Sequence, residues 1–404
     1  YEAGPYGLID IAEQVAADTH GALPADHIVI TTDHTHHGPD TIGVWGGVPT
    51  SYLAYVKAQA AAAIEAAYAS RQFADIRAGQ SDASDLIYNQ SCPEALNQSP
   101  QPTYTGPDVC ATAGKDGMVR VLQASAPDGS VIVTQMVFAA HGTTNIGTPI
   151  DGDWPAFLGD TMAATFGGVG IGMEGAVGGT QPCRPTCSFT SPDNPGYHVA
   201  DRRTAIILNY LAHVRNALAH ASPVTGPVGA ARSYLREPLD GPVAAALFAA
   251  GPNLGAPIMR SHESPWVTGQ TLRTVASAVR VGNLLYIGTP GEGYPAIGSG
   301  AAAAVTGARM VFELGLADDQ VGYLIAPASY APLIYAELPV NDNGLFNVSP
   351  TIGDHVMCAD ITLALGLGFA GASPPTCAGY DAIDAQGDPV GQLPVGGVYL
   401  PKLP

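Results

Sequence analysis

Short apolar segments rich in β-branched residues alternate in this chain with Ala-rich segments of helical periodicity, and this order constrains the fold more than any other feature. The predicted strands cover residues 27–32, 118–125, 130–139 and 320–327, and residues 277–288 are predicted to form a strand or a strand pair. The predicted helices cover residues 50–71, 201–219 and 298–314. Because the apolar face of a sheet must be covered by another layer, this alternation predicts an α/β protein with a layered mixed β-sheet core flanked by helices.

Two long segments lack either periodicity. Residues 85–117 and 165–197 are rich in Gly or Pro, and we predict that both form irregular connections. Within the second, residues 167–172 have the sequence GGVGIG, which is superficially similar to a dinucleotide-binding fingerprint. No clear strand precedes it, so we predict a flexible turn there.

Three residues with metal-binding side chains lie just past the ends of predicted strands. His34 lies in DHTHHGPD, His141 follows VIVTQMVFAA, and Glu292 follows LLYIG. Active sites of α/β proteins gather at strand ends, and two histidines with one carboxylate form a known catalytic zinc site. Other interpretations remain open: a solvated loop for His34, a hydrogen-bonded core residue for His141 and a surface turn for Glu292.

The histidine cluster itself has a predicted orientation. In an extended segment, alternate residues face the same side, so His34 and His36 should face one way and His37 the other. Two neighbouring imidazoles repel each other when protonated, which favours a metal ion or an acidic partner beside them.

Composition excludes several classes of function. The formal net charge is −19, whereas nucleic acid and anionic membranes attract basic surfaces. No apolar stretch reaches the length that a transmembrane helix requires. The chain also lacks a Gly-x-Ser-x-Gly elbow, a phosphate-binding P-loop and a His-Glu-x-x-His helix.

Six cysteines indicate disulfides and an oxidising compartment. We predict that sequence neighbours pair, because each bond then closes one local loop. Cys183 and Cys187 lack the second pair that a zinc finger needs. The chain begins at Tyr1 without a signal peptide, so we expect a secreted or extracytoplasmic protein whose signal peptide has been removed.

Four segments together resemble the neutral/alkaline (non-lysosomal) ceramidases. In chain order they are TTDHTHHGPD, FAAHGTTNIGTPIDGDW, LLYIGTPGEGYPAIG and YLIAPASYAPLIYAE. Each is similar to one conserved block of that family, in the family's order, and the resemblance covers nearly the whole chain. It implies a single catalytic domain over residues 1–404 without the family's first strand and C-terminal immunoglobulin-like domain. The Pro/Gly-rich residues 375–404 should form a surface tail.

The resemblance also implies a zinc site. Its ligands would be His34, His141, Glu292 and Tyr330, with Zn²⁺ as the cofactor. His36, which the spacing alone left as a candidate ligand, matches the family's histidine that faces the substrate carbonyl.

Two further positions follow from the resemblance. Tyr335 matches a tyrosine of the family's last block. The family's substrate-contacting serine falls on Gly178 here, with Thr180 as the candidate substitute.

The predicted function is therefore a secreted zinc-dependent amidohydrolase that cleaves an N-acyl amide, with a ceramide-like lipid favoured. The substitution at Gly178 leaves other amide or ester substrates open. A non-catalytic extracellular structural or assembly subunit that reuses the fold is a further alternative. The expected partner is a small-molecule or lipid amide, peripheral membrane contact is allowed, and the oligomeric state is left open.

Overall fold

A computed structural model gives the structure of the chain. It describes residues 6–41, 47–89, 114–144, 150–183, 188–190, 198–199, 201–238, 267–268, 271–325, 346–349, 351–374, 377, 381–383 and 389–392. The chain divides into two compact units. The first unit comprises Tyr1–Thr31, Pro39–Arg71 and Gly226–Pro404. The second unit comprises Thr32–Gly38 and Gln72–Thr225.

Among its described residues, the second unit contains a five-stranded sheet and two helices. Its main strands are β1 (Asp75–Asp82), β3 (Met118–Ser125), β4 (Val131–Phe138), β5 (Val169–Glu174) and β9 (Ser222–Pro223), in the order β5-β4-β3-β1-β9. Two small ribbons pair β2 (Ile87–Asn89) with β6 (Thr180–Pro182), and β7 (Phe189–Thr190) with β8 (His198–Val199). The helices are α3 (Asp153–Phe166) and α4 (Arg202–Ala219). Only β5 pairs in parallel, with β4, so the sheet is mixed.

Helix α4 packs on this sheet through an apolar stripe. Ile206, Tyr210, Val214 and Ala217 recur at helical spacing and are fully buried. The ring of Tyr210 packs edge-on against Trp154 of α3, 5.4 Å between centroids, and burial raises the pKa of its hydroxyl. These contacts close the core between both helices and the sheet.

The part of the first unit that the structure describes contains a larger sheet and four helices. Its strands are β10 (Val228–Pro238), β11 (Val267–Thr268), β12 (Thr271–Val281), β13 (Leu284–Gly288), β15 (Met310–Leu314), β17 (Asp381–Ile383) and β18 (Pro389–Gln392). The order is β15-β13-β12-β10-β17-β18, with β11 beside β12, and only β13 and β15 are parallel. The short strands β14 (Glu292–Gly293) and β16 (Tyr323–Leu324) pair separately. The helices are α1 (Leu8–Asp18), α2 (Thr50–Ala69), α5 (Pro295–Ala304) and α6 (Ile352–Gly366).

The predicted fold class is confirmed: several mixed sheets are flanked by helices. Both units lie within the span expected to be one catalytic domain, and that expectation stays a prediction. Among the described residues, every helix is too short or too polar to cross a membrane.

Some predicted elements were wrong. Residues 27–32 form no strand; a 3₁₀ turn covers Ala25–His27, and Thr31 makes one isolated bridge with Ala317. The predicted helix 298–314 ends at Ala304, and Met310–Leu314 is the fully buried strand β15. A continuous apolar segment fits either a buried helix or a buried strand, so periodicity did not separate the two.

The Gly-rich segment around residue 170 was also wrongly predicted as a turn. It is strand β5, and its glycines allow α3 to lie directly on the sheet. A Cβ on Gly170 would lie 1.9 Å from the carbonyl oxygen of Gly159 in α3. Glycine here serves close packing of helix on strand, not flexibility.

One predicted disulfide is confirmed. Cys358 and Cys377 are bonded and close a local loop, as sequence-neighbour pairing predicted. Cys183 is also disulfide-bonded, and the described cysteines include no free thiol. Cys92, Cys110 and Cys187 lie outside the described residues.

A carboxyl group is buried in the core of the first unit. Asp360 of α6 is fully buried, and neither of its carboxyl oxygens has a hydrogen-bond partner in the described part of the chain. Burial, and secondarily the neighbouring Glu313 carboxylate, raise the pKa of Asp360 well above its usual range. Ionising this group in the folded state therefore costs free energy.

We expect Asp360→Asn to make the stability less sensitive to pH. A carboxyl pKa that is raised by folding supports the fold below its unfolded pKa, near 3.9, and that support is lost as pH rises. One such proton gives a slope of up to about 1.4 kcal/mol per pH unit. Urea unfolding at pH 4 to 8 should show that the free energy of unfolding of the variant increases relative to that of the parent as pH rises. For the exposed control Asp160→Asn, the free energy of unfolding should depend on pH as it does in the parent. The same pH dependence in Asp360→Asn would contradict the prediction.

Candidate metal centre

Three imidazoles converge in the second unit. His34 and His36 lie in the segment Thr32–Gly38, and His141 lies three residues past the end of β4. One ring nitrogen from each lies within 4.8 Å of the other two. The Nε2 atoms of His34 and His36 are 3.4 Å apart. His34 and His36 thus face the same side, as their spacing predicted, and His37 is not part of the cluster.

The segment carrying His34 and His36 is held by contacts at Thr35 and His36. Its Thr35 hydroxyl donates to the carbonyl oxygen of Asp151 at 2.8 Å, and the His36 N–H donates to the carbonyl oxygen of Gly142 at 3.2 Å. His34 has a φ of 44°, in the left-handed region of the backbone that residues other than Gly rarely adopt. Such backbone strain persists where surrounding contacts enforce it, often at functional sites.

The carboxyl group of Asp33, next to His34, has a perturbed pKa. Loss of surrounding water raises it, although part of the side chain remains exposed. The Thr35 backbone N–H and the His34 ring oppose this increase.

His141 is the buried member of the cluster, with 1% of its surface exposed. Its Nδ1 lies 2.8 Å from the carbonyl oxygen of Thr180, and its backbone N–H donates to the same oxygen at 3.3 Å. A carbonyl oxygen only accepts hydrogen bonds, so Nδ1 carries a proton, and in the neutral ring Nε2 then has the lone pair. Metal-binding histidines are commonly oriented in this way by an outer hydrogen bond.

The cluster fits a metal ion that prefers nitrogen ligands. Two nitrogens bound to one zinc ion at about 2.0–2.1 Å with tetrahedral angles lie about 3.3 Å apart. The separation of 3.4 Å between the Nε2 atoms of His34 and His36 agrees with that value. Three neutral imidazoles also suit copper, iron or nickel, so the residues fit a transition metal without identifying it.

Side chains outside the cluster fix the segment that follows His141. Asp153 of α3 accepts hydrogen bonds from the N–H and hydroxyl of Thr144, at 3.1 and 2.5 Å. Arg202 of α4 donates to the carbonyl oxygens of Thr143 and Thr144, at 3.1 and 2.6 Å. Neither support was predicted from the sequence; the signal for Asp153 was its place in the block FAAHGTTNIGTPIDGDW.

Close packing at residue 142 leaves little room for a side chain. A Cβ there would lie 3.0 Å from the carbonyl oxygens of Asp33 and His34 and from Oε1 of Glu174. The first two belong to the segment that carries the other histidines of the cluster.

We therefore expect Gly142→Ala to weaken metal binding roughly tenfold, the lower end of the effect of altering an outer metal contact. The added methyl group pushes the His34 segment away from His141 by a few tenths of an ångström. Chelator competition measures the affinity, and thermal unfolding checks that the core is intact. An unchanged affinity would show that the segment absorbs the methyl group without moving the imidazoles.

The other predicted site residues are placed as follows. Glu292 lies in the first unit on β14, is 7% exposed, and its N–H donates to the carbonyl oxygen of Gly322 at 2.9 Å. Thr180 is fully buried in the second unit, and its hydroxyl has no hydrogen-bond partner among the described residues. Tyr330 and Tyr335 lie outside the described residues. The roles assigned to these four residues remain predictions.

Known proteins match this chain in structure but not in sequence. No protein-family model and no curated protein sequence matches it. A crystal structure of neutral ceramidase from Pseudomonas aeruginosa matches with a TM-score of 0.68 and 16% identity, over 91% of this chain and 66% of that one. A structure described as ceramidase complexed with C2 matches with a TM-score of 0.64 and 15% identity, over 94% of this chain and 69% of that one.

These matches show that the chain has the neutral ceramidase fold, as the four sequence blocks predicted. The chain spans about two thirds of the length of each matching structure.

Proposed function

We propose that this chain is a secreted zinc-dependent amidohydrolase that cleaves an N-acyl amide, most favourably a ceramide-like lipid. The observation that carries the proposal is the convergence of His34, His36 and His141 in a chain with the neutral ceramidase fold. Fold alone does not decide function, so the proposal rests on this cluster within that fold.

The proposed zinc ligands are His34, His141, Glu292 and Tyr330. His141 is buried, and the Thr180 carbonyl holds its Nδ1–H, so its Nε2 is available as a ligand. A bound Zn²⁺ would lower the pKa of a coordinated water to about 7 and polarise the amide carbonyl.

His36 is proposed to act on the substrate instead of binding zinc, although its Nε2 lies 3.4 Å from that of His34, close enough for both to bind one metal ion. It is the most exposed member of the cluster, so a substrate can approach its ring. A ring N–H directed at the amide oxygen stabilises the negative charge that develops during attack on the carbonyl. Donors of this kind contribute about 3–4 kcal/mol to transition-state stabilisation in comparable sites.

The remaining roles concern the leaving group and the acyl chain. Tyr335 is proposed to protonate the leaving amine, and Thr180 to take the place of the family's substrate-contacting serine. The buried Thr180 hydroxyl has no hydrogen-bond partner among the described residues, so it can form a hydrogen bond with a substrate. A long acyl chain would gain about 0.8 kcal/mol for each CH₂ group that it buries.

Secretion is proposed from cysteine chemistry. The Cys358–Cys377 bond and the bonded Cys183 require an oxidising environment to form and persist.

Metal analysis and substrate turnover test the proposal together. Purified protein should contain one zinc per chain, and His34→Ala and Glu292→Ala should each lose it. The same protein should release fatty acid from ceramide faster than from a panel of N-acyl amino acids. Zinc-free parent protein would refute the metal site. Zinc-loaded protein that cleaves another amide or ester instead would refute the lipid substrate, and complete inactivity would favour a structural subunit.

A further inference from the structure

A shallow groove in the second unit lies at the opposite end of β4 from the histidine cluster. It has a volume of about 320 Å³. The groove is lined by Arg77, Gln123, Val131, Phe166, Arg215, Leu218 and Ala219. Val131 is the first residue of β4, and His141 follows the last, Phe138. The length of the strand from Val131 to Phe138, about 24 Å, therefore separates the groove from the histidine cluster.

The groove brings together two arginines that have no acidic partner among the residues that the structure describes. Arg77 donates to Oε1 of Gln123 from Nε and Nη2, at 3.2 and 2.7 Å, and that partner is uncharged. Gln123 is itself fixed, because its Nε2 donates to the Thr134 hydroxyl at 2.9 Å. Arg215 has no hydrogen bond or ion pair within the described residues.

These positive charges are unusual in this chain, which has 16 Lys and Arg residues against 35 Asp and Glu residues. Two other arginines of the second unit each pair with a carboxylate. Arg120 binds Asp116, and Arg203 binds Asp151 at 2.9 Å. Two guanidinium groups that remain unneutralised at one groove therefore provide a binding site for an anion.

The rest of the lining is apolar. Val131, Phe166 and Leu218 face the groove beside the arginines, so an inorganic anion alone would leave that surface uncovered. A ligand with an anionic head and an apolar body matches both parts of the lining. The volume holds about ten groups of water size, which is the number of non-hydrogen atoms in octanoate.

We infer that this groove binds a medium-chain carboxylate, with the head group on Arg77 and Arg215 and the alkyl chain on Phe166 and Leu218. Arginine suits this role because its planar guanidinium group matches the geometry of a carboxylate. The groove is separate from the histidine cluster, so the inference stands independently of the proposed amide hydrolysis.

Calorimetric titration of the intact protein with octanoate tests the inference. Octan-1-ol and octyltrimethylammonium, which keep the chain but lack the anion, should bind at least ten times more weakly, and so should acetate, which lacks the chain. Arg215→Gln and Arg77→Gln should each weaken octanoate binding about tenfold. Phe166→Ala should weaken octanoate binding without changing the preference for the anion over the alcohol.

Two controls locate the binding. Arg120→Gln, which removes an already paired arginine from the same sheet, should leave octanoate affinity unchanged. His34→Ala should also leave it unchanged, because a carboxylate bound to metal at the histidine cluster would be lost in that variant. Equal affinity for octanoate and octan-1-ol, loss of binding in His34→Ala, or full binding by the Arg77→Gln/Arg215→Gln double variant would each overturn the inference.

Discussion

Replacing His141 with alanine is expected to remove the bound metal and to reduce any amide hydrolysis by at least about 100-fold. Removing a residue that only contacts a metal ligand already lowers metal affinity or activity by up to about 100-fold, and loss of a ligand itself should cost at least as much. His141 is the buried member of the cluster, and its tautomer is fixed by the Thr180 carbonyl. Alanine has no ligand atom, so the metal would lose the imidazole nitrogen that the buried ring supplies. Metal content per chain and hydrolysis rate with the preferred amide measure the two effects.

His220→Ala is the matched control for this experiment. Its Nδ1 also contacts a backbone carbonyl oxygen, that of Asn216 at 2.9 Å, but His220 is exposed and lies outside the cluster. His141→Gln, which keeps a polar side chain of similar size, separates loss of the ligand from loss of packing. If both His141 variants retained full metal, His141 would not be a ligand and the proposed centre would be wrong.

Gly170→Ala is expected to cause the largest loss of stability, about 3 kcal/mol or more, comparable with the severest overpacking substitutions. The new Cβ would lie 1.9 Å from the carbonyl oxygen of Gly159 and 2.9 Å from the backbone nitrogen of Ala163. Both atoms belong to the backbone of α3, so no side-chain rotation relieves the overlap. The helix must move away from β5, and Trp154 and Leu158 of its buried face then lose packing.

Urea unfolding of the parent and variant measures this loss. Ile171→Ala is the matched control, because the neighbouring residue points to the other face of the strand and is 41% exposed. It should change the free energy of unfolding by less than about 1 kcal/mol. A Gly170→Ala protein as stable as the control would mean that α3 and β5 are not in direct backbone contact.

Local sequence patterns predicted those elements whose signal is local. Strand β4 and helix α4 were predicted to within about one residue at each end, because alternation and helical periodicity are set by near neighbours. Strand β5 was missed because glycine contributes no apolar side chain to an alternating pattern. Helix α6 was also missed; most of its residues are buried, so it shows little of the polar face that marks an amphipathic helix.

For the candidate site, the sequence by itself determined the side chains and their local setting. It placed His141 at the end of a strand and put His34 and His36 on one side of a short segment, and both features depend on near neighbours. Only the tertiary structure decided that these three imidazoles meet, because contacts between distant segments depend on packing such as that at Gly142. The tertiary structure also decided the tautomer of His141, through a carbonyl oxygen of a distant strand. Spacing along the chain carries no information about such long-range contacts, so they follow only from the packed fold.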